Sequence, residues 1–238
     1  MSVAVVIVAA GRGRRLGGEV PKQYIPLAGA CSLRRSVEAF LQVDTVDHVR
    51  AVINAEDEDL CAAALGPVSD PRLLAPVHGG TTRAHSVSLG LESLESHAPD
   101  LVLIHDAARP FISKDVITAV VAGLAAADGA CAALPLVDAL WKSEDGHAGE
   151  PVPREGLWRA QTPQGFHFDR ILEAHRQHDG SGADDVAVAR EAGLDVRFVP
   201  GSERNYKITT AADLERALVD LQLIELNAKA IRRAEPRR

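Results

Sequence analysis

The run Val3-Ala4-Val5-Val6-Ile7-Val8-Ala9 holds no polar residue and breaks directly into Gly11-Arg12-Gly13-Arg14-Arg15, with Pro21-Lys22 soon after. An unbroken apolar run at 3–8 reads as a strand, and the pattern recurs along the chain. Strand-like runs at 49–53, 73–77, 101–104 and 130–135 alternate with helix-patterned segments. Leu33, Val37, Phe40 and Leu41 share one helical face, an acid-capped helix spans 57–65, and Val87, Leu91 and Leu94 share a side of 82–94. An alanine-rich helix is expected at 116–127. Near-continuous apolar strands separated by helices imply a parallel sheet covered on both faces. The expected fold class is therefore α/β, a mainly parallel sheet flanked by helices. Ligands of such sheets sit outside the carboxyl ends of the strands.

A strand that ends in glycines places bare backbone N–H groups at that edge. Arg12, Arg14, Arg15 and Lys22 surround the turn with four cations. Backbone donors plus fixed positive charge suit a multiply charged phosphate, which points to a nucleoside triphosphate. The dinucleotide fingerprint fits less well. Its third glycine position is Leu16, and Glu38 falls inside a helical pattern instead of ending a second strand. A solvated basic loop that merely punctuates the strand is the bland alternative.

The alternation changes between 136 and 161. Short strands at 137–142 and 152–159, joined by turn-rich Ser143-Glu144-Asp145-Gly146, carry both tryptophans, Trp141 and Trp158. A hairpin this small must bury such rings against something. It either projects into a second subunit or folds back over its own domain. Helices at 169–178 and 184–192, a strand at 195–199 and a last helix from 211 to about 230 follow. With 238 residues and 46% apolar content, residues 1–231 are expected to form one domain, with the Arg-rich 232–238 a flexible tail.

Three further clusters carry chemistry. The run at 101–104 leads into His105-Asp106-Ala107-Ala108-Arg109-Pro110, which sets a carboxylate and a guanidinium at the edge that holds the glycine turn. Asp106 suits Mg²⁺, which takes one or two carboxylates and leaves the rest to phosphates. Arg109 suits a second anion, although a mere turn cap paired with its neighbouring arginine has the same sequence. Gly79-Gly80-Thr81-Thr82-Arg83 with Ser86 is a small-residue junction where a flat base can approach; a helix start built only for packing looks alike. Asn205-Tyr206-Lys207-Ile208-Thr209 presents a compact ammonium suited to a phosphate, or else a solvated loop lysine.

The net charge of −7 argues against nucleic acid, and no apolar run has the length of a membrane span. The start shows no basic n-region or cleavage signal, so the cytoplasm is expected. Cys31, Cys61 and Cys131 fit neither a disulfide framework nor a zinc site. The histidines show no ligand spacing and read as surface or core fillers, His105 as a packing partner of its strand. No G-x-S-x-G element supports covalent hydrolysis.

Seven blocks in order resemble one family: Ala9-Ala10-Gly11-x-Gly13-x-Arg15, Pro21-Lys22-Gln23-Tyr24, Gly79-Gly80 with Arg83 and Ser86, the 105–110 segment, Arg154-x-Gly156-Leu157-Trp158, Gln161-Thr162-Pro163-Gln164 and Asn205-x-Lys207-Ile208-Thr209. That family is 2-C-methyl-D-erythritol 4-phosphate cytidylyltransferase, and the likeness runs from Val3 to Leu214. It implies a Rossmann-like nucleotidyltransferase domain whose β-hairpin arm, residues 136–161, swaps across a homodimer. It also implies CTP and methylerythritol phosphate as substrates and Mg²⁺ as the metal. At the matched positions Arg15, Lys22 and Lys207 would be catalytic. Ala9, Ala10, Gly11, Gly13, Gly80, Arg83, Ser86, Asp106 and Ala107 would bind the nucleotide, with Asp106 also at the metal. Arg109, Arg154, Thr162 and Lys207 would hold the second substrate, with Arg154 coming from the partner's arm. Three positions depart from the family's pattern: Thr81 where an acid is common, and Ala139 and Ala183 where threonine is frequent. The wording of the arm is similar to members fused to a cyclodiphosphate synthase, although the 238 residues lead to the expectation of the cytidylyltransferase domain alone.

Overall fold

A computed structural model describes residues 1–12 and 20–234, with side chains up to residue 227. Its centre is a seven-stranded sheet. The first strand, β1 (Val3–Val8), is buried along nearly its whole length, as an unbroken apolar run demands. A single 3₁₀ turn at Lys22–Tyr24 and a two-residue ribbon, β2 (Pro26–Leu27) with β3 (Ala30–Cys31), lead into α1 (Ser32–Leu41). Leu33, Val37 and Phe40 of α1 are fully buried, and each such side chain contributes about 1.5–3 kcal/mol. There follow β4 (His48–Ile53), α2 (Glu58–Leu65), β5 (Val77–His78), α3 (Arg83–Glu92) and β6 (Leu101–Asp106). The second half holds α4 (Lys114–Gly123), β7 (Gly129–Pro135), β8 (Leu140–Glu144), β9 (His147–Val152) and β10 (Trp158–His167). It ends with α5 (Phe168–Gln177), α6 (Asp185–Glu191), β11 (Val196–Pro200) and α7 (Ala211–Ala234).

The strand order is β11-β7-β10-β6-β1-β4-β5. All pairings in this sheet are parallel except those of β10, which runs antiparallel between β6 and β7. From β1 the chain moves outward to β4 and β5, then returns to the other side of β1 as β6. The carboxyl ends of β1 and β6 therefore meet at a topological switch point, where open α/β sheets bind ligands. One core fills the face of α1, α2 and α4; the other lies under α3, α5 and α6.

Several boundaries differ from the sequence expectation. The strand at 73–77 shrinks to β5 and one bridge, Leu73 to Val49. Val77 pairs with Val52, so four residues of one strand oppose three of the other, and the extra residue with Pro76 interrupts the ladder. Helix α4 begins earlier, where the Ser113 hydroxyl accepts from Val116 N–H. It stops at Gly123, because the bonds after it tighten to the i→i−3 pattern. The last helix runs to Ala234, past the expected end near 230 and into the segment read as a tail.

The excursion is a hairpin in other strands than those expected. Asp145 and Gly146, both with positive φ (49° and 83°), make its two-residue turn and centre it on β8 and β9. Residues 152–159 do not form its second strand. Trp158 opens β10 opposite Pro135 of β7, so 158–161 belong to the main sheet. Its ring stacks on Phe198 at 5.5 Å, while Trp141 is 57% exposed in the single chain.

Candidate active site

Three strand exits converge on one cleft of about 600 Å³. The chain leaving β1 is held by Ala9 N–H donating to the Val52 carbonyl (2.7 Å). The exits of β6 and β5 are fixed by Ala107 N–H on Val8 O (3.0 Å) and Gly79 N–H on Ile53 O (2.7 Å). Gln23 buttresses the glycine turn from behind, its amide donating to the carbonyls of Ala9 and Gly11.

Glycine is required at 79 for a local reason. A Cβ there would lie 2.6 Å from the Ala10 Cβ and 2.7 Å from Ser86 Oγ. Ser86 Oγ accepts from Gly80 N–H (3.1 Å) and donates to the Thr82 carbonyl (2.8 Å). The Gly79-Gly80 junction is thereby pressed against the β1 exit and the start of α3, and Gly80 lines the cleft.

Charge gathers on the opposite wall. Asp106, at the end of β6, takes Lys207 Nζ on Oδ2 (2.7 Å) and Arg83 Nε on Oδ1 (3.2 Å). Burial alone would raise its pKa; Arg83, Lys207 and Arg109 outweigh that and hold the carboxyl well below the usual range. Lys22 donates to the Ile208 carbonyl (2.8 Å), which brings the 22–24 turn against the Lys207 segment. Ile208 N–H in turn donates to Ala108 O (2.9 Å), so blocks 22–24, 105–110 and 205–209 become one wall.

Residues matching the family model of 2-C-methyl-D-erythritol 4-phosphate cytidylyltransferase (IspD) span 3–222. The chain belongs to this family. Curated relatives agree: it is 50% identical over 217 residues to a "Bifunctional enzyme IspD/IspF" of Paramagnetospirillum magneticum, covering 90% of this chain and 55% of that protein. The chain thus spans about half the length of the bifunctional relatives it matches. A 2-C-methyl-D-erythritol 4-phosphate cytidylyltransferase of Cereibacter sphaeroides is 45% identical over 91% of this chain and 96% of its own length. Among solved structures, the Thermus thermophilus 2-C-methyl-D-erythritol 4-phosphate cytidylyltransferase superposes with TM-score 0.74 at 31% identity, covering 92% and 98% of the two chains. A crystal structure of 4-diphosphocytidyl-2C-methyl-D-erythritol synthase gives TM-score 0.78 at 27% identity over the same shares.

Of the residues the cytidylyltransferase resemblance singled out, Ala9, Ala10, Gly11, Lys22, Gly80, Arg83, Ser86, Asp106, Ala107 and Lys207 line the cleft. Gly13 and Arg15 lie outside the described residues. Arg109 does not line it; its guanidinium donates to the Asn205 carbonyl (2.7 Å) behind the strand end. Thr162 sits beneath the floor, where its hydroxyl accepts the Asp106 N–H (3.1 Å). Arg154 stays on the arm and donates to the Val137 carbonyl. Arg12 does line the cleft, but acids hold it: it pairs with Asp57 (3.0 Å) and Glu56 at the start of α2.

Sequence reasoning missed two supports. Asp185, fully buried at the start of α6, grips Arg83 from behind; an acid pair at 184–185 was its only sequence signal. His105 is no mere packing partner. Its Nε2 donates to the Arg109 carbonyl, which can only accept, and its Nδ1 therefore accepts from Thr162 (both 3.1 Å). Burial lowers the His105 pKa from 6.5 to about 4. The unfolded chain takes up this proton near 6.5 and the folded one only near 4, so the contribution is complete above 6.5 and lost as pH falls to 4. About 3 kcal/mol of unfolding free energy is expected to disappear over that window. Urea titrations should show it, with a shallower slope in His105→Asn; equal slopes would refute the assignment.

The donor set at Asp106 fits Mg²⁺ of one kind only. Among the described residues no cluster of three metal-ligating side chains exists. One carboxylate at the cleft suits an ion whose other ligands are phosphate oxygens and water. Burial pushes the Cys131 thiol up to about 12, which leaves it no role as a nucleophile.

Proposed function

We propose that the chain transfers the cytidylyl group of CTP to 2-C-methyl-D-erythritol 4-phosphate, giving 4-diphosphocytidyl-2-C-methyl-D-erythritol and pyrophosphate in isoprenoid precursor biosynthesis. The observation that carries this reading is the cleft itself. Lys22 and Lys207 stand on one wall with Asp106, facing the backbone of Ala9–Gly11 and the Gly79–Gly80 junction. A triphosphate needs cations and bare N–H groups; a flat base needs a side-chain-free junction with a polar edge, here Ser86.

The acceptor phosphate attacks the α-phosphorus of CTP in line. A new P–O bond forms as the bond to the bridging α–β oxygen breaks, and pyrophosphate leaves with that oxygen. A phosphate monoester is anionic near neutral pH, so no general base is required. Catalysis is then positioning plus neutralisation of charge at the α-phosphorus. Lys22 and Lys207 supply that charge within the described residues; Arg15 joins them on the strength of the family resemblance. Mg²⁺, held by Asp106, would neutralise the leaving phosphates. Arg109 orders the Asn205–Lys207 segment through its bond to the Asn205 carbonyl, and Thr162 holds the Asp106 backbone.

The arm gives a homodimer. Val137, Trp141 and Leu157 leave an apolar strip exposed in the single chain, which a second copy would cover while offering its Arg154 to the acceptor phosphate. Sedimentation should give the mass of two chains, and a single-chain mass at micromolar concentration would remove this part. All three thiols are buried and unpaired, as a reducing cytoplasm favours, and no helix among the described residues is long and apolar enough to cross a membrane.

Pyrophosphate release tests the reaction. Release is expected with CTP plus methylerythritol phosphate, and at most a few per cent of that rate with ATP, GTP or UTP or without the acceptor. Equal rates with all four nucleotides, or none with CTP, would overturn the reading.

A further inference from the structure

Asp185 is fully buried and does not line the cleft, yet it holds one of the cleft's cations in a fixed pose. Its two oxygens take Arg83 Nη2 (2.8 Å) and Nη1 (3.2 Å). The remaining donor of the same planar group, Nε, reaches Asp106 Oδ1 (3.2 Å). A guanidinium gripped at two points cannot rotate in its plane, so the direction of its third donor is set from behind. Asp185 is itself fixed. Its N–H donates to Gln164 Oε1 (3.0 Å), which also accepts from Val186 N–H (3.1 Å), and His175 Nε2 lies 3.4 Å from Oδ1. Burial would raise the Asp185 pKa, but Arg83 and His175 hold it below its ordinary value, so it stays an anion. The line from α6 through α3 to the end of β6 joins three elements far apart in sequence.

We infer that Asp185 is a positioning residue for nucleotidyl transfer: through the fork of Arg83 it holds Oδ1 of Asp106 on the protein side and leaves Oδ2 to the Lys207 side of the cleft. The inference rests on the cytidylyltransferase reading. Packing alone does not call for a carboxylate here, since buried ion pairs are often replaced by uncharged groups without loss of stability. What the charged pair adds is a set direction at Asp106, and a misplacement of about 1 Å at a reacting centre costs roughly 100-fold in rate.

Asp185→Asn keeps the shape but breaks one arm of the fork. Arg83→Lys keeps the charge but has no fork. Each is expected to lower kcat about 10- to 100-fold with the KM for CTP within about threefold. The double variant should fall no further than Arg83→Lys alone, because both changes cut the same line. Wild-type kcat in Asp185→Asn, or losses that multiply in the double variant, would overturn the inference. Should Asp185→Asn fail to fold, Asp185→Glu, which keeps the charge but shifts it by one methylene, decides: wild-type turnover there overturns it, and a lowered kcat at unchanged KM supports it. The wild-type assay separates the two levels. No pyrophosphate release from the wild type sinks the function and this inference together, whereas an active wild type with equally active variants sinks this inference only.

Discussion

Lys22→Ala is expected to lower kcat about 10²–10³-fold, the usual loss on removing one preorganised charge-stabilising donor. The side chain stands where the 22–24 turn meets the Lys207 segment, with Nζ 2.8 Å from the Ile208 carbonyl. That contact costs little to lose in stability, on the order of 1 kcal/mol, so folding should survive. The deficit should therefore appear in kcat while the thermal midpoint moves by a few degrees at most. Single-turnover pyrophosphate release resolves the chemical step directly. Wild-type turnover in the variant would show that Lys22 has no part in neutralising charge at the phosphorus.

The largest stability effect is expected for Arg83→Met. The guanidinium is shared by two carboxylates, one of them fully buried, and both are held below their ordinary pKa. Removing the cation leaves Asp185 a buried anion whose remaining cationic neighbour among the described residues is His175, a loss of about 3–5 kcal/mol. In the wild type the stabilisation from these acids is present above the usual carboxylate range and is lost as pH falls below it. The gap between variant and wild type should accordingly be widest near neutral pH and narrow on acidification. Urea denaturation at pH 7 and at about pH 3, below the usual carboxylate range, measures both; a loss under about 1 kcal/mol at pH 7 would show that the network does not carry the fold.

Much of the architecture was legible because parallel strands buried on both faces leave a plain trace. Val3–Val8 is uniformly apolar, and Leu101–Ile104 is apolar up to buried His105 and then Asp106 at the cleft. Boundaries failed where the deciding interaction was not local. Nothing in 73–77 announces that its register against β4 slips by one residue. Trp158 looked like part of the arm because its neighbours are turn-forming, yet it pairs with Pro135 and stacks on Phe198, forty residues further along.

The chain's order of residues pointed, without coordinates, to a mainly parallel sheet with Gly11 and Asp106 just past the carboxyl ends of two apolar runs, 3–8 and 101–104. It could not assign partners. Arg12 and Arg83 are equal as letters, but one is held by acids at the start of α2 and the other is clamped between Asp106 and Asp185. Arg109 likewise turns to a backbone carbonyl instead of the cleft. The reason is physical. Backbone placement follows from local pattern and burial, whereas an arginine's several rotatable bonds take their direction from carboxylates and carbonyls that only the folded chain brings within 3 Å.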